Sequence, residues 1–158
     1  YGHDLSTGAE VTAEQYRAKQ PAGRAFLIPA EYEPAPEVPG DDYPLALTTG
    51  RTVYQFHTRT KTGRAPELDA AAPQPWVELN PADAGPLGVR DGDLVRVESP
   101  RGSIEVPARL CGVRPGVVFV PFHYAAQAAN TLTRTVWDPV SKQPLFKQAA
   151  VRVTRIGG

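Results

Sequence analysis

Residues Trp76 to Pro121 read WVELNPADAGPLGVRDGDLVRVESPRGSIEVPARLCGVRPGVVFVP, and the turn signals in this run decide the fold. Trp76 to Leu79 is a short apolar strand. Asn80-Pro81-Ala82-Asp83 then opens a helix: Asn80 suits the cap, Pro81 the first position, and Asp83 complements the dipole in the first turn. That helix is short. Beyond Gly88, Asp91-Gly92 turns the chain into Asp93 to Glu98, where Leu94 and Arg96 alternate with Val95 and Val97. Pro100-Arg101-Gly102 returns it as Ser103 to Leu110, so the two runs form a hairpin. Arg114-Pro115-Gly116 is a further turn, and Val117 to Pro121 is apolar enough for a buried strand.

The same texture extends outward from this run. Tyr43 to Thr48 reads as a strand, Thr52 to Phe56 as a second extended piece, and Ala149 to Thr154 as the last strand. Short strands with turn chemistry at nearly every junction predict a mainly β fold, a closed barrel with a few short helices; a sandwich would leave a similar pattern. Upstream, Thr12-Ala13-Glu14-Gln15 matches a capping box for a short helix that Pro21 would end. Ala25 to Ile28 reads as a short strand, and EYEPAPEVPGDDYP, residues 31–44, suits an extended surface connection. The expected organisation is therefore a lead-in over 1–42 and a barrel domain over 43–158.

The chain has 158 residues, 41% apolar and 22% charged, with a formal net charge of zero. These values suit one globular domain with a modest core. No apolar run is long enough to span a bilayer, and no basic-then-apolar start reads as a signal peptide. Methionine is absent, which predicts that the chain is a piece of a longer protein, with any targeting signal outside it.

Against that neutral background one segment is chemically biased. From Tyr43 to Pro66 there is no carboxylate, while Arg51, Arg59, Lys61 and Arg64 are cationic and Thr48, Thr49, Thr58, Thr60 and Thr62 supply hydroxyls. Glycines at 50 and 63 permit close backbone approach, and amide groups in tight turns cradle phosphate. Nucleic-acid binding more often accompanies a basic domain, so the pattern points to a small phosphate-bearing ligand. A solvated basic loop is the plain alternative.

Cys111 is the single cysteine, which excludes an internal disulfide; its place at a strand end reads as a half-buried structural thiol. His3, His57 and His123 lack metal-ligand spacing, and no metal site is expected.

Four motifs, in order, resemble one family. They are YPLALTTGRTVYQFHTRTKTGR, ELNPADAGPLGVRDGDLVRVESPRGSIEVPA, RPGVVFVPFHYAAQAANTLT and DPVSKQPLFKQAAVRV, together spanning most of residues 43–154. The chain thereby resembles the C-terminal dinucleotide-binding domain of molybdopterin oxidoreductases, nearest the bacterial nitrate reductases, with formate dehydrogenases next. The GRAFLIPAEY stretch of the lead-in is similar to what precedes that domain in the same branch.

The resemblance implies a double-psi β barrel closing over bis(molybdopterin guanine dinucleotide). Carried over residue by residue, it implies cofactor contacts from Thr49, Gly50, Arg51, Thr52, Phe56, His57 and Thr58, and from Asn130 and Lys147. Phe122 aligns with a residue lining the substrate approach. His57 is read as a hydrogen-bond donor to the cofactor rather than a general base, and His123 is left open between packing, gating and ligand contact. The molybdenum ligand and the iron–sulfur cysteines belong to other domains of such proteins, so no catalytic or metal-ligating residue is expected here.

The implied partners are the other domains of a parent oxidoreductase, the molybdopterin cofactor and a small oxyanion substrate, with no nucleic acid and no membrane span. The expected location is cytoplasmic, or periplasmic where the parent carries an export signal. Nitrate is the first substrate reading and formate the second. A stand-alone double-psi barrel binding protein partners or nucleotides is the alternative from another class.

Overall fold

The computed structural model describes residues 31–157, together with His3, residues 8–10, Thr12 and Pro29. The helix expected from Thr12 and the strand expected at Ala25 to Ile28 lie outside the described residues. The chain divides into two compact units, 1–34 and 35–158. In the first, His3 and Glu10 form an isolated antiparallel bridge. The second carries the barrel.

Its strands are β1 (Leu45–Gly50), β2 (Val77–Leu79), β3 (Leu94–Ser99), β4 (Gly102–Leu110), β5 (Val117–Pro121) and β6 (Gln148–Arg155). They close in the order β1-β5-β2-β4-β3-β6. β1 pairs with β5 and β2 with β4 in parallel, and the other contacts are antiparallel. This mixed, closed, six-stranded sheet is the double-psi barrel that the motifs imply, and closure removes the exposed edges an open sheet would leave.

Among the described residues there are two short α-helices, α1 (Pro66–Ala71) and α2 (Pro81–Ala84). At α2 the side chain of Asn80 accepts from the Ala82 N–H at 2.8 Å, as expected of the cap. Its amide also donates to the Val113 carbonyl at 2.6 Å, tying the helix start to the turn before β5. Asp83 accepts from the Gly116 N–H at 2.8 Å on that same turn.

Strand alternation fills the interior. Leu45, Leu47, Val77, Leu79, Val95, Val97, Ile104, Val106, Val118, Val120, Val151 and Val153 point inward and are buried. Side chains of this size contribute roughly 1.5–3 kcal/mol each on full burial. At the β3–β4 hairpin the register pairs Val95 with Val106 and Val97 with Ile104, as the alternation requires. Gly92 and Gly116 take positive φ (84° and 79°) in the turns entering β3 and β5, where a side chain would be strained.

One strand expectation fails. Thr52 to Phe56 has turns in place of extended pairing. The reason is at Gln55, whose apolar neighbours suggested a strand. Its side chain is buried and bonds to the chain ahead of it, donating to the carbonyls of Leu68 and Ala72 at 3.1 Å each and accepting from the Thr62 hydroxyl at 2.6 Å. These bonds fold residues 51–75 into a packed excursion.

Residues 35–42, read as lead-in, are fixed onto the barrel. Glu37 receives two bonds of 2.7 Å from Arg101 and one of 2.6 Å from the Ala150 N–H, while its own carbonyl accepts from Gln148. Burial pushes the Glu37 carboxyl up, but the Arg101 and Ala150 hydrogen bonds and the charges of Arg101 and Arg134 more than offset this and hold it below its ordinary value.

Candidate cofactor site

Three distant pieces of chain meet at one end of the barrel because of strand direction. β1 and β5 run parallel, with Gly50 opposite Pro121, so the segments that follow them emerge side by side. β6 runs antiparallel to β1, so the residues that lead into β6 arrive at the same end. Backbone bonds stitch the junction: the Phe122 N–H donates to the Gly50 carbonyl at 3.2 Å and the Thr49 N–H to the Lys147 carbonyl at 3.2 Å. Residues 49–58, Phe122 and Lys147, singled out from sequence, are thereby brought together. Asn130 lies on a 3-10 turn at Ala129–Thr131, with its side chain exposed and no hydrogen bond to the others among the described residues.

These residues are engaged within the chain to different degrees. Thr49 is buried, and its hydroxyl donates to the Phe146 carbonyl at 2.8 Å. With its N–H and its hydroxyl both engaged within the chain, it positions the junction. At Gly50, an added Cβ would lie 2.8 Å from Cε2 of Phe119, so the close approach permitted here is that of a ring of the chain itself. Thr52 donates its N–H to Nε2 of His123 at 2.8 Å, while its buried hydroxyl has no hydrogen-bond partner.

Arg51 is exposed, and its guanidinium donates to Nε2 of His57 at 3.2 Å, leaving Nδ1 of that ring as a donor. Phe56 stands edge-on to His57 with centroids 4.3 Å apart, and Arg51 lies 5.8 Å from the Phe56 centroid. The Thr58 and Thr60 hydroxyls are 3.1 Å apart and exposed. Across the junction, Nζ of Lys147 lies 6.0 Å from the centroids of Phe122 and Phe146, which meet edge to face. Phe122 is half-buried and packs against the core.

Electrostatically this end is rich in donors. Among the described residues neither Arg51 nor Lys147 has a carboxylate within ion-pair distance. Arg59 is different. It pairs with Asp69, donates to the Pro73 carbonyl at 3.2 Å and stacks 4.7 Å from the Tyr124 ring. The carboxylate-free run therefore finds an acid just beyond its end, and one of its four cations is structural. Two cations without a carboxylate partner, exposed hydroxyls at Thr58 and Thr60, the orphaned buried hydroxyl of Thr52 and aromatic faces fit an anionic ligand with planar rings.

A cleft of about 490 Å³ adjoins Arg51 on the outer wall. Thr48, Phe119, Glu78 and Arg109 form its floor as one row across β1, β5, β2 and β4, set by the register. Arg51, Tyr54 and Trp76 rim it. The Arg109 guanidinium lies 3.7 Å from the centroid of the buried Trp76, and the Glu78 carboxylate accepts from the Trp76 N–H at 2.9 Å and the Cys111 thiol at 3.6 Å. Cys111 is thus the half-buried structural thiol expected. Trp76 and Arg109 were missed in the sequence because Trp76 sits just ahead of β2 and Arg109 on β4, and only the parallel β2–β4 pairing brings them together.

Among the described residues no group of three or more His, Cys, Asp or Glu side chains is arranged to hold a metal. None of their helices is long and apolar enough to cross a membrane.

The family described as Molydopterin dinucleotide binding domain matches residues 45–150. The F420-dependent formate dehydrogenase subunit alpha of Methanocaldococcus jannaschii is 43% identical over 135 residues, 85% of this chain and 20% of that one. The periplasmic nitrate reductase of Desulfovibrio desulfuricans is 42% identical over 137 residues, 86% of this chain and 18% of that one. The chain spans about a fifth of the length of these relatives. Acetylene hydratase from Pelobacter acetylenicus superposes with a TM-score of 0.63 over 72% of this chain and 18% of that one, at 19% identity, a likeness of fold alone. The near-equal identities give the sequence-based preference for nitrate over formate no support.

Proposed function

Because the chain belongs to the molybdopterin dinucleotide binding domain family, we propose that it serves as the cofactor-cradling C-terminal domain of a molybdenum oxidoreductase of the formate dehydrogenase and nitrate reductase type. The observation that carries this reading is a pair of cations with no carboxylate partner among the described residues, Arg51 and Lys147, set at one barrel end by the backbone bonds that join Gly50 to Phe122 and Thr49 to Lys147. Bis(molybdopterin guanine dinucleotide) is the proposed ligand, and its bound molybdenum would supply the redox chemistry, with the metal ligand and iron–sulfur cluster on other domains.

The chain's own residues do the holding. Arg51 offers a planar fork for a phosphate oxygen pair, and Lys147 offers a point charge. His57 Nδ1, Thr58 and Asn130 supply hydrogen bonds, with Phe56 beside them as an apolar face. Phe122 walls the approach for a small oxyanion. Nitrate and formate both fit that description, since both are small anions that a cationic, aromatic-walled approach would admit. Substrate choice would rest on the metal ligand and its neighbours.

The test uses the full-length protein that carries this chain. Arg51→Ala and Lys147→Ala should each lower molybdenum and guanine-nucleotide content about tenfold with the barrel still folded, since a charge-assisted hydrogen bond contributes roughly 1.5–3 kcal/mol. Unchanged content in both variants removes the assignment.

A further inference from the structure

His123 is buried to 1% exposure, yet its ring bonds only to backbone in another part of the chain. Its Nε2 accepts from the Thr52 N–H at 2.8 Å, so Nε2 carries no proton. Its Nδ1 lies 2.6 Å from the His57 carbonyl oxygen and must be the donor there. The ring is the neutral Nδ1–H tautomer, and it spans the loop between residues 52 and 57 like a strut. Phe122 and Tyr124 pack against it at centroid distances of 5.1 and 6.1 Å, which hold its orientation.

What the strut fixes is the part of the chain that faces outward. His57 sits at φ 47°, a left-handed conformation uncommon for a residue with a side chain, and its carbonyl is the one His123 holds. The His57 ring in turn accepts from Arg51. Position therefore passes from His123 through the His57 backbone and ring to the Arg51 guanidinium.

We infer that His123 is a positioning residue, a buried clamp that sets the shape of loop 51–58 so that Arg51, Phe56, His57 and Thr58 face one ligand together. The clamp stands on the geometry; what the loop grips rests on the cofactor reading above. Preorganisation of this kind raises affinity by removing the ordering cost at binding.

Three substitutions in the full-length protein separate the two bonds. His123→Asn places an amide donor near Nδ1 and keeps the His57 bond. His123→Gln places an amide oxygen near Nε2 and keeps the Thr52 bond. His123→Leu keeps apolar bulk and loses both. The readouts are amide hydrogen exchange in the peptide covering 51–58, guanine-nucleotide content, and the melting temperature.

With the melt nearly unchanged, His123→Leu should raise loop exchange at least tenfold and lower nucleotide content about tenfold, with Asn and Gln intermediate in both. Loop exchange in His123→Leu equal to wild type overturns the clamp. So does a lower melting temperature with full nucleotide content, which is plain packing. Should the Leu variant not fold, equality of both Asn and Gln with wild type in loop exchange overturns it equally. A wild-type protein without nucleotide would sink the cofactor reading, and the exchange measurements would still decide the clamp.

Discussion

Gly50→Ala asks whether the glycine of the Thr49-Gly50-Arg51 turn serves the ligand or the barrel. The added Cβ would stand 2.8 Å from Cε2 of Phe119, so the ring must retreat by roughly 0.6 Å to reach ordinary contact at 3.4 Å. Phe119 is half-buried and borders the outer cleft, which lets it swing part of the way. Overpacking of this kind costs about 1–3 kcal/mol, and the lower unfolded-state entropy of alanine offsets about 0.4–1 kcal/mol. A net loss of about 1–2 kcal/mol follows, a fall of roughly 3–6 °C in Tm for a chain of this size. Circular dichroism melts of the chain measure it. Phe119→Leu in the same background should recover most of the loss, with a coupling of about 1 kcal/mol in the double-mutant cycle. An unchanged Tm for Gly50→Ala, with cofactor content lost in the full-length protein, would refute the steric account and return the glycine to the ligand.

Other consequences can be measured alongside. Glu37→Gln should lower stability by about 2–3 kcal/mol, because two bonds from Arg101 lose their charged acceptor; denaturant melts at neutral pH check it. The Glu37 carboxyl is held below its ordinary value of 4.5 in the folded chain, so its stabilisation is fully present above that value. It is lost as pH falls through the lower folded value, and the wild-type melt should drop across that acidic window more steeply than that of Glu37→Gln. Asn80→Ala should cost about 1–2 kcal/mol, since it removes the α2 cap and the bond to Val113 together; urea titration reads this. Phe122→Leu should shift KM for nitrate or formate in the full-length enzyme while keeping molybdenum content, and a lower Tm with unaltered KM would make Phe122 a core residue only.

The barrel was legible because its signals are local. Asn80, Asp91-Gly92, Pro100 to Gly102 and Pro115-Gly116 mark element ends within a few residues, and the alternation of Val95, Val97, Ile104 and Val106 says which face is inside. Thr52 to Phe56 was misread for the opposite reason. β-branched and aromatic residues there favour a strand, but Gln55 finds the Leu68 and Ala72 carbonyls, and tertiary hydrogen bonds outweigh a weak local preference. Nothing within five residues of Gln55 announces those partners. The docking of Glu37 was hidden likewise, as its ligands Arg101 and Ala150 lie more than sixty positions away.

The site was legible only as a list of residue types, and its geometry depends on topology that no short window contains. Parallel pairing of β1 with β5 is what sets Phe122 beside Gly50, and the antiparallel entry of β6 is what brings Lys147 to the same rim. Once those directions are known, the chemistry divides by depth. Thr49, Gln55, Arg59 and His123 turn inward and hydrogen-bond to the chain, which ties the loop to its surroundings. Arg51, Phe56, His57, Thr58 and Lys147 are left exposed above them. On the proposed cofactor reading, the hydroxyl- and cation-rich run from Thr48 to Arg64 serves two ends in one stretch: its inward polar groups build the shape that sets the outward ones toward a ligand together.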